Sequence, residues 1–283
     1  MPILALPFPA IDPVAVSVGP FAVRWYALAY IFGFLGAWAY AHALVRNDRL
    51  WSDAPRPNPE SLTDLALYIM VGTVIGGRLG QIILYEPAYY AVHPLEIIEI
   101  WNGGMAFHGG LIGVLLAIWY FAYRFTIPFL TVADLCGATC PIPIFLVRIG
   151  NFINEEQWGR PTDIPWAMVF PDVDGQPRHP SQLYEAILEG LPPLLVLGVI
   201  AQKGGFRRPG LLTGLATLGY GLSRIAMEFF REPDPERAAR IWSHDGHGPF
   251  RSHGRDRPRA HHRSALHARH CKPNLVRNEW GKK

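Results

Sequence analysis

Cysteine is nearly absent. Cys136, Cys140 and Cys271 are the only three in 283 residues, and their spacing supplies neither a disulfide framework nor a set of zinc ligands. Cys136 and Cys140 share one helix face and read as small packing residues. Missing too is a basic stretch leading into an apolar run with a small-residue cleavage site, so no removed signal peptide is expected. Charge is sparse, at 17% of residues against 50% apolar, and it is unevenly placed. The formal net charge is +3, yet residues 235–283 hold 12 Lys/Arg, 4 Asp/Glu and seven of the 11 histidines, leaving the first 234 residues at −5. One composition does not describe this chain.

What is present is a series of apolar stretches near the ~20 residues needed to cross a bilayer. They fall at about 25–44, 63–85, 104–123, 131–150, 183–201 and 209–230. The expectation is an all-α polytopic membrane protein. Pro128, Pro141, Pro143 and the Pro192–Pro193 pair predict kinked or broken helices, tolerated where neighbours satisfy the freed backbone groups. Arg46, Arg49 and Arg56 follow the first stretch, Arg124 the third, and Lys203, Arg207 and Arg208 the fifth. The loop after the second carries Glu86, Glu96 and Glu99 and no Lys or Arg. The positive-inside rule then puts the N-terminus outside, together with residues 151–182 as a small cap or arm at the membrane surface.

Ionisable groups inside such stretches are costly, roughly 2.5–3.5 kcal/mol each on insertion scales, and mark cavities or sites. Arg78 lies in GTVIGGRLGQ, His108 in GGMAFHGGLIG, Arg148 at the head of RIGNFINEEQWGR, and Arg224 and Glu228 in YGLSRIAMEFFRE. Each has a plain structural reading. Arg224 and Glu228 suit an i,i+4 pair. Arg78 could neutralise Glu86 or snorkel, and His108 could be a satisfied core histidine. The last is weakened by Gly103, Gly104, Gly109 and Gly110, which let a backbone or ligand come close. Arg148 with Asn151, Asn154 and Glu156 is more than capping requires. Guanidinium forks suit the acceptor oxygens of a phosphodiester, amides add neutral donors, and histidine takes up a proton near neutral pH. Intramembrane Arg, His and Glu also line ion pathways, so a transporter is the alternative class, although no inverted repeat is visible.

These residues carry a resemblance. RIGNFINEEQWGR resembles the signature stretch of the bacterial prolipoprotein diacylglyceryl transferases, with Arg148, Asn151, Asn154, Glu156, Gly159 and Arg160 in register. IDPVAVSVGPFAVRWYALAY, WNGGMAFHGGLIG, RHPSQLYEAILEG and YGLSRIAMEFFREPD are similar to further family stretches, so the resemblance spans residues 6 to about 234. It implies an inner-membrane enzyme with seven transmembrane helices. Such an enzyme moves the diacylglyceryl group of phosphatidylglycerol onto the lipobox cysteine of a prolipoprotein signal peptide and releases glycerol 1-phosphate. It implies no metal, no organic cofactor and no nucleic-acid partner. Carried over by position, the implied catalytic residues are His108, Arg148, Arg224 and Tyr26. The implied substrate-binding residues are Arg148, Asn151, Asn154, Glu156, Gly159, Tyr220 and Glu228, with Arg78 added from its place in the second stretch. His108 would be the base, and Glu156 and Glu228 would orient the arginines.

The chain departs from the family pattern in two respects. Val147 stands where the family has glycine, and Glu155 replaces a common small residue. After REPD, the expected loop and seventh helix are replaced by a basic His/Arg-rich stretch with no apolar span from 235 to 283. A shifted reading frame accounts for this. His before Gly or Asp is encoded CAY-G, which one base later reads as Met or Thr, so with permitted codons WSHDGHG can be read as GLTMGMA, a loop of the family's kind. Such an altered terminus would make this copy less stable or inactive, while a true basic tail or a His-rich metal tract are the other readings.

Overall fold

The computed structural model describes residues 5–232 apart from Ala10, Pro20 and Asp172, so the basic segment 235–283 and its frame-shift reading lie outside the described residues. The chain opens with β1 (Leu6–Pro7) and a hairpin of β2 (Val14–Val18) and β3 (Phe21–Arg24). α1 (Trp25–Arg46) and the short α2 (Asp48–Trp51) follow. α3 (Leu62–Gly80) runs into a π turn, Gln81–Tyr85. An irregular stretch with α4 (Pro87–Val92) leads to α5 (Phe107–Arg124), α6 (Phe129–Thr139) and α7 (Pro141–Ile153). After β4 (Met168–Val169) and β5 (Pro177–Arg178) come α8 (Ser181–Glu185), a second π turn at Ala186–Gly190, α9 (Leu191–Gln202) and α10 (Leu211–Glu228).

Each expected span coincides with a helix or with two helices in series. Four are long and apolar enough to cross a membrane: Trp25–Arg46, Pro59–Tyr85, Phe129–Ile153 and Ser181–Gln202. The protein is an all-α polytopic membrane protein. α5 and α10, at 18 residues each, are not among the four, and they are the helices that carry His108 and Arg224. The prolines act as expected. Pro141 separates α6 from α7, and the Pro192–Pro193 pair follows directly on the π turn at Ala186–Gly190. Large apolar side chains point outward along the helices, among them Phe32, Ile75, Leu116, Leu195 and Ile225. Such a surface suits lipid and would be a liability in water.

Lipid offers little hydrophobic drive between helices, so close approach has to supply the packing. α3 and α5 meet through glycines. A methyl group on Gly109 would lie 2.6 Å from Gly80 Cα, and one on Gly80 would lie 2.6 Å from Gly109 Cα. α7 packs against α1, where a Cβ on Gly33 would lie 2.8 Å from Pro143 Cα, and a Cβ on Gly150 would lie 3.1 Å from the Tyr26 ring. At the end remote from the cap, Trp51 stacks on Phe206 at 4.2 Å within a buried cluster that includes Phe121 and Leu135. There Asp134 of α6, fully buried, caps α10. It accepts from Gly210 N at 2.7 Å, Thr213 N at 2.7 Å and Thr213 Oγ1 at 2.8 Å. That satisfies two of the orphan N–H groups that a helix start leaves.

Between α7 and α8, where a membrane-surface cap was expected, the chain forms a small sheet unit, called the cap below, that β1 completes. β1 pairs in parallel with β4, and β4 pairs antiparallel with β5. Phe8, Phe152 and Phe170 form its small core. Buried Arg178 holds Asp174 in a bidentate pair, at 2.6 and 3.2 Å, donates to Gly159 O at 3.0 Å and lies over the Trp158 ring. Hydrogen bonds from Arg178 hold the Asp174 carboxyl below the usual carboxylate range, whereas burial lowers the His179 imidazole.

Candidate active site

α7 delivers Arg148 into the interior between α1 and the π turn after α8. Its side chain is 14% exposed, and its partners are two carboxylates of that turn region. Arg148 Nη1 lies 2.9 Å from Glu185 Oε2, and Arg148 Nη2 lies 3.1 Å from Glu189 Oε2. Nη1 also donates to Gln157 Oε1 at 2.7 Å. α10 brings Arg224 to the same pair, at 3.0 Å from Glu185 Oε1 and 3.7 Å from Glu189 Oε1. Arg231 reaches Glu185 at 4.0 Å. Both carboxylates are fully buried. Three guanidiniums and two carboxylates leave this interlocked group one positive charge in excess. Tyr220, one turn before Arg224, lies against the same group.

Glu185, Glu189 and Gln157 were not singled out from the sequence. The rule that flagged Arg224 applies equally to two acids four residues apart at the head of an apolar span. Among the described residues the close ion-pair partners of Arg148 and Arg224 are Glu185 and Glu189, and neither Glu156 nor Glu228 makes such a pair with them. Glu228 is exposed, acts on Arg224 electrostatically without a close ion pair, and accepts at its carbonyl from Arg160 Nη2 at 3.4 Å. Glu156 serves the amides instead, accepting from Asn151 Nδ2 at 3.2 Å and Asn154 Nδ2 at 3.4 Å. Gln182 Nε2 donates to Glu156 O at 2.7 Å, fastening the turn to α8. Glu155 and Gln157 on either side adopt left-handed backbone, φ +54° and +57°. A glycine would take that conformation without a Cβ penalty, which gives a reason for a small residue at position 155.

Tyr26 faces Asn151 across the α1–α7 contact and shares a hydroxyl–hydroxyl bond of 3.2 Å with Tyr30. Gly159 is a packing glycine. A Cβ there would lie 2.6 Å from His179 O and 2.7 Å from Phe230 O, and its backbone bridges to Arg231. Arg78, expected to contact substrate, turns its fork to backbone carbonyls in this structure. Buried, it donates to the carbonyls of Glu96, Ile97 (2.9 Å), Glu99 (3.4 Å), Gly103 (2.6 Å) and Gly104 (3.2 Å), and it lies over the Tyr90 ring. Every N–H of its fork is taken by the loop before α5. Among the described residues it makes no ion pair with Glu86.

His108, in the first turn of α5, is exposed, and its Nδ1 lies 3.1 Å from Tyr85 Oη. Among the described residues no hydrogen bond or ion pair links it to Arg148 or Arg224. Arg148, Arg224, Tyr220, Tyr26 and the Asn151–Glu156 turn gather around α7, while His108 belongs to the α3–α5 pair.

The family profile described as prolipoprotein diacylglyceryl transferase matches residues 13–246. The chain belongs to the prolipoprotein diacylglyceryl transferase family. Three relatives bear the name phosphatidylglycerol–prolipoprotein diacylglyceryl transferase. The chain is 51% identical to the Methylocella silvestris protein over 229 residues, which is 81% of this chain and 84% of that one. It is 48% identical to the Rhodopseudomonas palustris protein over 238 residues, 83% of each chain. It is 51% identical to the Beijerinckia indica protein over 236 residues, 82% of this chain and 86% of that one. The family match takes in the arginine–carboxylate cluster, the His108 loop and the cap alike.

Proposed function

We propose that this transferase moves the diacylglyceryl group of phosphatidylglycerol onto the thiol of a prolipoprotein's lipobox cysteine, releasing glycerol 1-phosphate. The observation that carries the reading is the excess positive charge of the cluster of Arg148, Arg224 and Arg231 with Glu185 and Glu189. A phosphodiester carries one negative charge and would balance it. Asn151, on the same helix as Arg148, and Tyr26, facing it from α1, would supply partners for the headgroup hydroxyls.

The thiol must first lose its proton, because the thiolate is the nucleophile. His108 takes that proton as general base. The sulfur bonds to the glyceryl carbon, the carbon–oxygen bond to phosphate breaks, and its electron pair stays on the phosphate. The departing phosphate then holds a second negative charge. Arg148 and Arg224 stabilise it as it develops, and the fixed carboxylates keep both forks aimed before substrate arrives. Among the described residues no bond joins His108 to the cluster, and in this mechanism the substrate spans the two, with the peptide thiol at the imidazole and the headgroup at the arginines.

The helices cross the bilayer six times in this reading. β1 pairs with β4, so the N-terminus and the cap share one face. An even number of crossings must separate them, and α5 is needed alongside α1, α3 and α6–α7. Arg160 N donates to Phe230 O at 2.9 Å, so the far end of α10 returns to the cap as well and α10 crosses too. The basic loops support an orientation with the cap and N-terminus on the periplasmic side of the inner membrane.

Purified protein in phosphatidylglycerol micelles should transfer labelled diacylglycerol to a lipobox peptide. His108→Gln should abolish transfer while the protein remains membrane-inserted; full activity in that variant would remove the base assignment. No transfer by the wild-type chain, with its fold intact, would refute the function for this copy.

A further inference from the structure

Among the described residues His108 has one hydrogen-bond partner, Tyr85, and how that contact is made bears on what the imidazole can do. A neutral imidazole carries one N–H, and only the bare nitrogen accepts a proton. A free imidazole favours the proton on Nε2. A ring in that form, held through Nδ1, would present a donor to the thiol and could not act as its base. The structure puts Tyr85 Oη 3.1 Å from Nδ1; a hydroxyl can donate to that nitrogen or accept from it, and only the accepting arrangement leaves Nε2 bare. We propose that Tyr85 is a positioning residue for the transfer: its hydroxyl oxygen accepts Nδ1–H of His108 and so fixes the tautomer that leaves Nε2 bare to take the cysteine proton. The proposal rests on the reading of His108 as base.

The local backbone is built to keep that contact. Tyr85 ends the π turn Gln81–Tyr85, a wider helical turn that reorients it relative to the α-helix before it, and such turns recur at functional sites. Gly80 and Gly109 let α3 and α5 touch at backbone distance, so a tyrosine on one reaches a histidine on the other. Ala106 N donates to Gly77 O at 2.9 Å, tying the chain two residues before His108 to α3. Arg78 fastens the preceding loop through Gly103 and Gly104. The Phe107 ring lies edge-on to the imidazole at 5.7 Å. The ring is thus fixed from the backbone side, and its Nδ1 bond is to the phenol. When Nε2 gains a proton, the same hydroxyl oxygen remains as acceptor for the Nδ1–H of the imidazolium.

The test is Tyr85→Phe in the full chain, with two readouts. In ¹⁵N-histidine-labelled protein in phosphatidylglycerol vesicles, the His108 signals (identified by their loss in His108→Gln) should report Nδ1–H in wild type and Nε2–H in Tyr85→Phe. In the transfer assay, kcat should fall roughly 10- to 100-fold, part of the ~10²–10⁴ that a positioned base supplies. KM for phosphatidylglycerol should stay unchanged, because Arg148 and Arg224 hold the headgroup. A Tyr85→Phe enzyme with wild-type kcat, or one whose His108 keeps Nδ1–H, overturns the proposal. If His108→Gln is itself active, the base reading fails instead, and the ¹⁵N signals still decide whether Tyr85 sets the tautomer.

Discussion

Glu185→Gln tests the charge logic of the site most directly. Glu185 is fully buried and lies 2.9 Å from Arg148 and 3.0 Å from Arg224. At an effective dielectric near 20, each pair is worth on the order of 5 kcal/mol in Coulomb energy, much of it offset by desolvation. Removing one partner of a buried pair costs about 3–5 kcal/mol. Glu189 remains 3.1 Å from Arg148 and 3.7 Å from Arg224, so the cost should lie near the lower end, about 3 kcal/mol. The kinetic effect has an unusual sign. The carboxylate competes with phosphate for the same guanidiniums, and its loss raises the excess charge of the cluster from one to two. Headgroup binding should tighten about 3- to 10-fold, or roughly 0.7–1.4 kcal/mol, while kcat falls because the forks lose their aim. Transfer assays over a series of phosphatidylglycerol mole fractions, beside thermal unfolding in detergent, read both quantities. A variant with a lower unfolding temperature and a weaker apparent affinity would refute the competition argument. Unchanged stability would refute the buried network itself.

Other outcomes follow from the same geometry. Asp134→Ala should lose about 2 kcal/mol of stability by uncapping α10, with KM for phosphatidylglycerol unaltered in the protein that remains folded; unfolding and kinetics together check it. Glu155→Gly should gain about 0.5–1 kcal/mol by relieving a left-handed non-glycine residue, and a loss of stability on urea or heat would contradict that. His179 is lowered by burial. The unfolded chain therefore binds more protons between the two pKa values, and stability rises with pH across that window. Unfolding temperature should decline as pH falls below about 6.5, and His179→Phe should flatten that slope. The nucleotide sequence across codons 230–283 should read, one base later, as an apolar helix of span length; a polar shifted frame would dispose of that account.

Helix positions were legible in the sequence, because bilayer thickness imposes a fixed length on any apolar helix and each of the six stretches became helical within a few residues. The arginines were legible for the same reason, since a charge in lipid is too costly to be incidental. Their partners were not. Glu185 and Glu189 lie some 40 residues from Arg148 and 35–39 from Arg224, and no local pattern announces which buried charges will meet. Arg78 shows the opposite failure. It has the look of a binding residue, yet loop carbonyls take its whole fork, something periodicity cannot foresee because irregular backbone has no repeat. Gly159 likewise gives up its side chain to a backbone approach from strands and helix ends distant in sequence. The sequence by itself determined that this chain enters the membrane, which family it belongs to and where its intramembrane charges lie, since these follow from hydrophobic length and local motif. Only the tertiary structure decided which charges neutralise one another, because pairing energy depends on distance and burial, and both are set by how helices remote in the chain come to lie side by side.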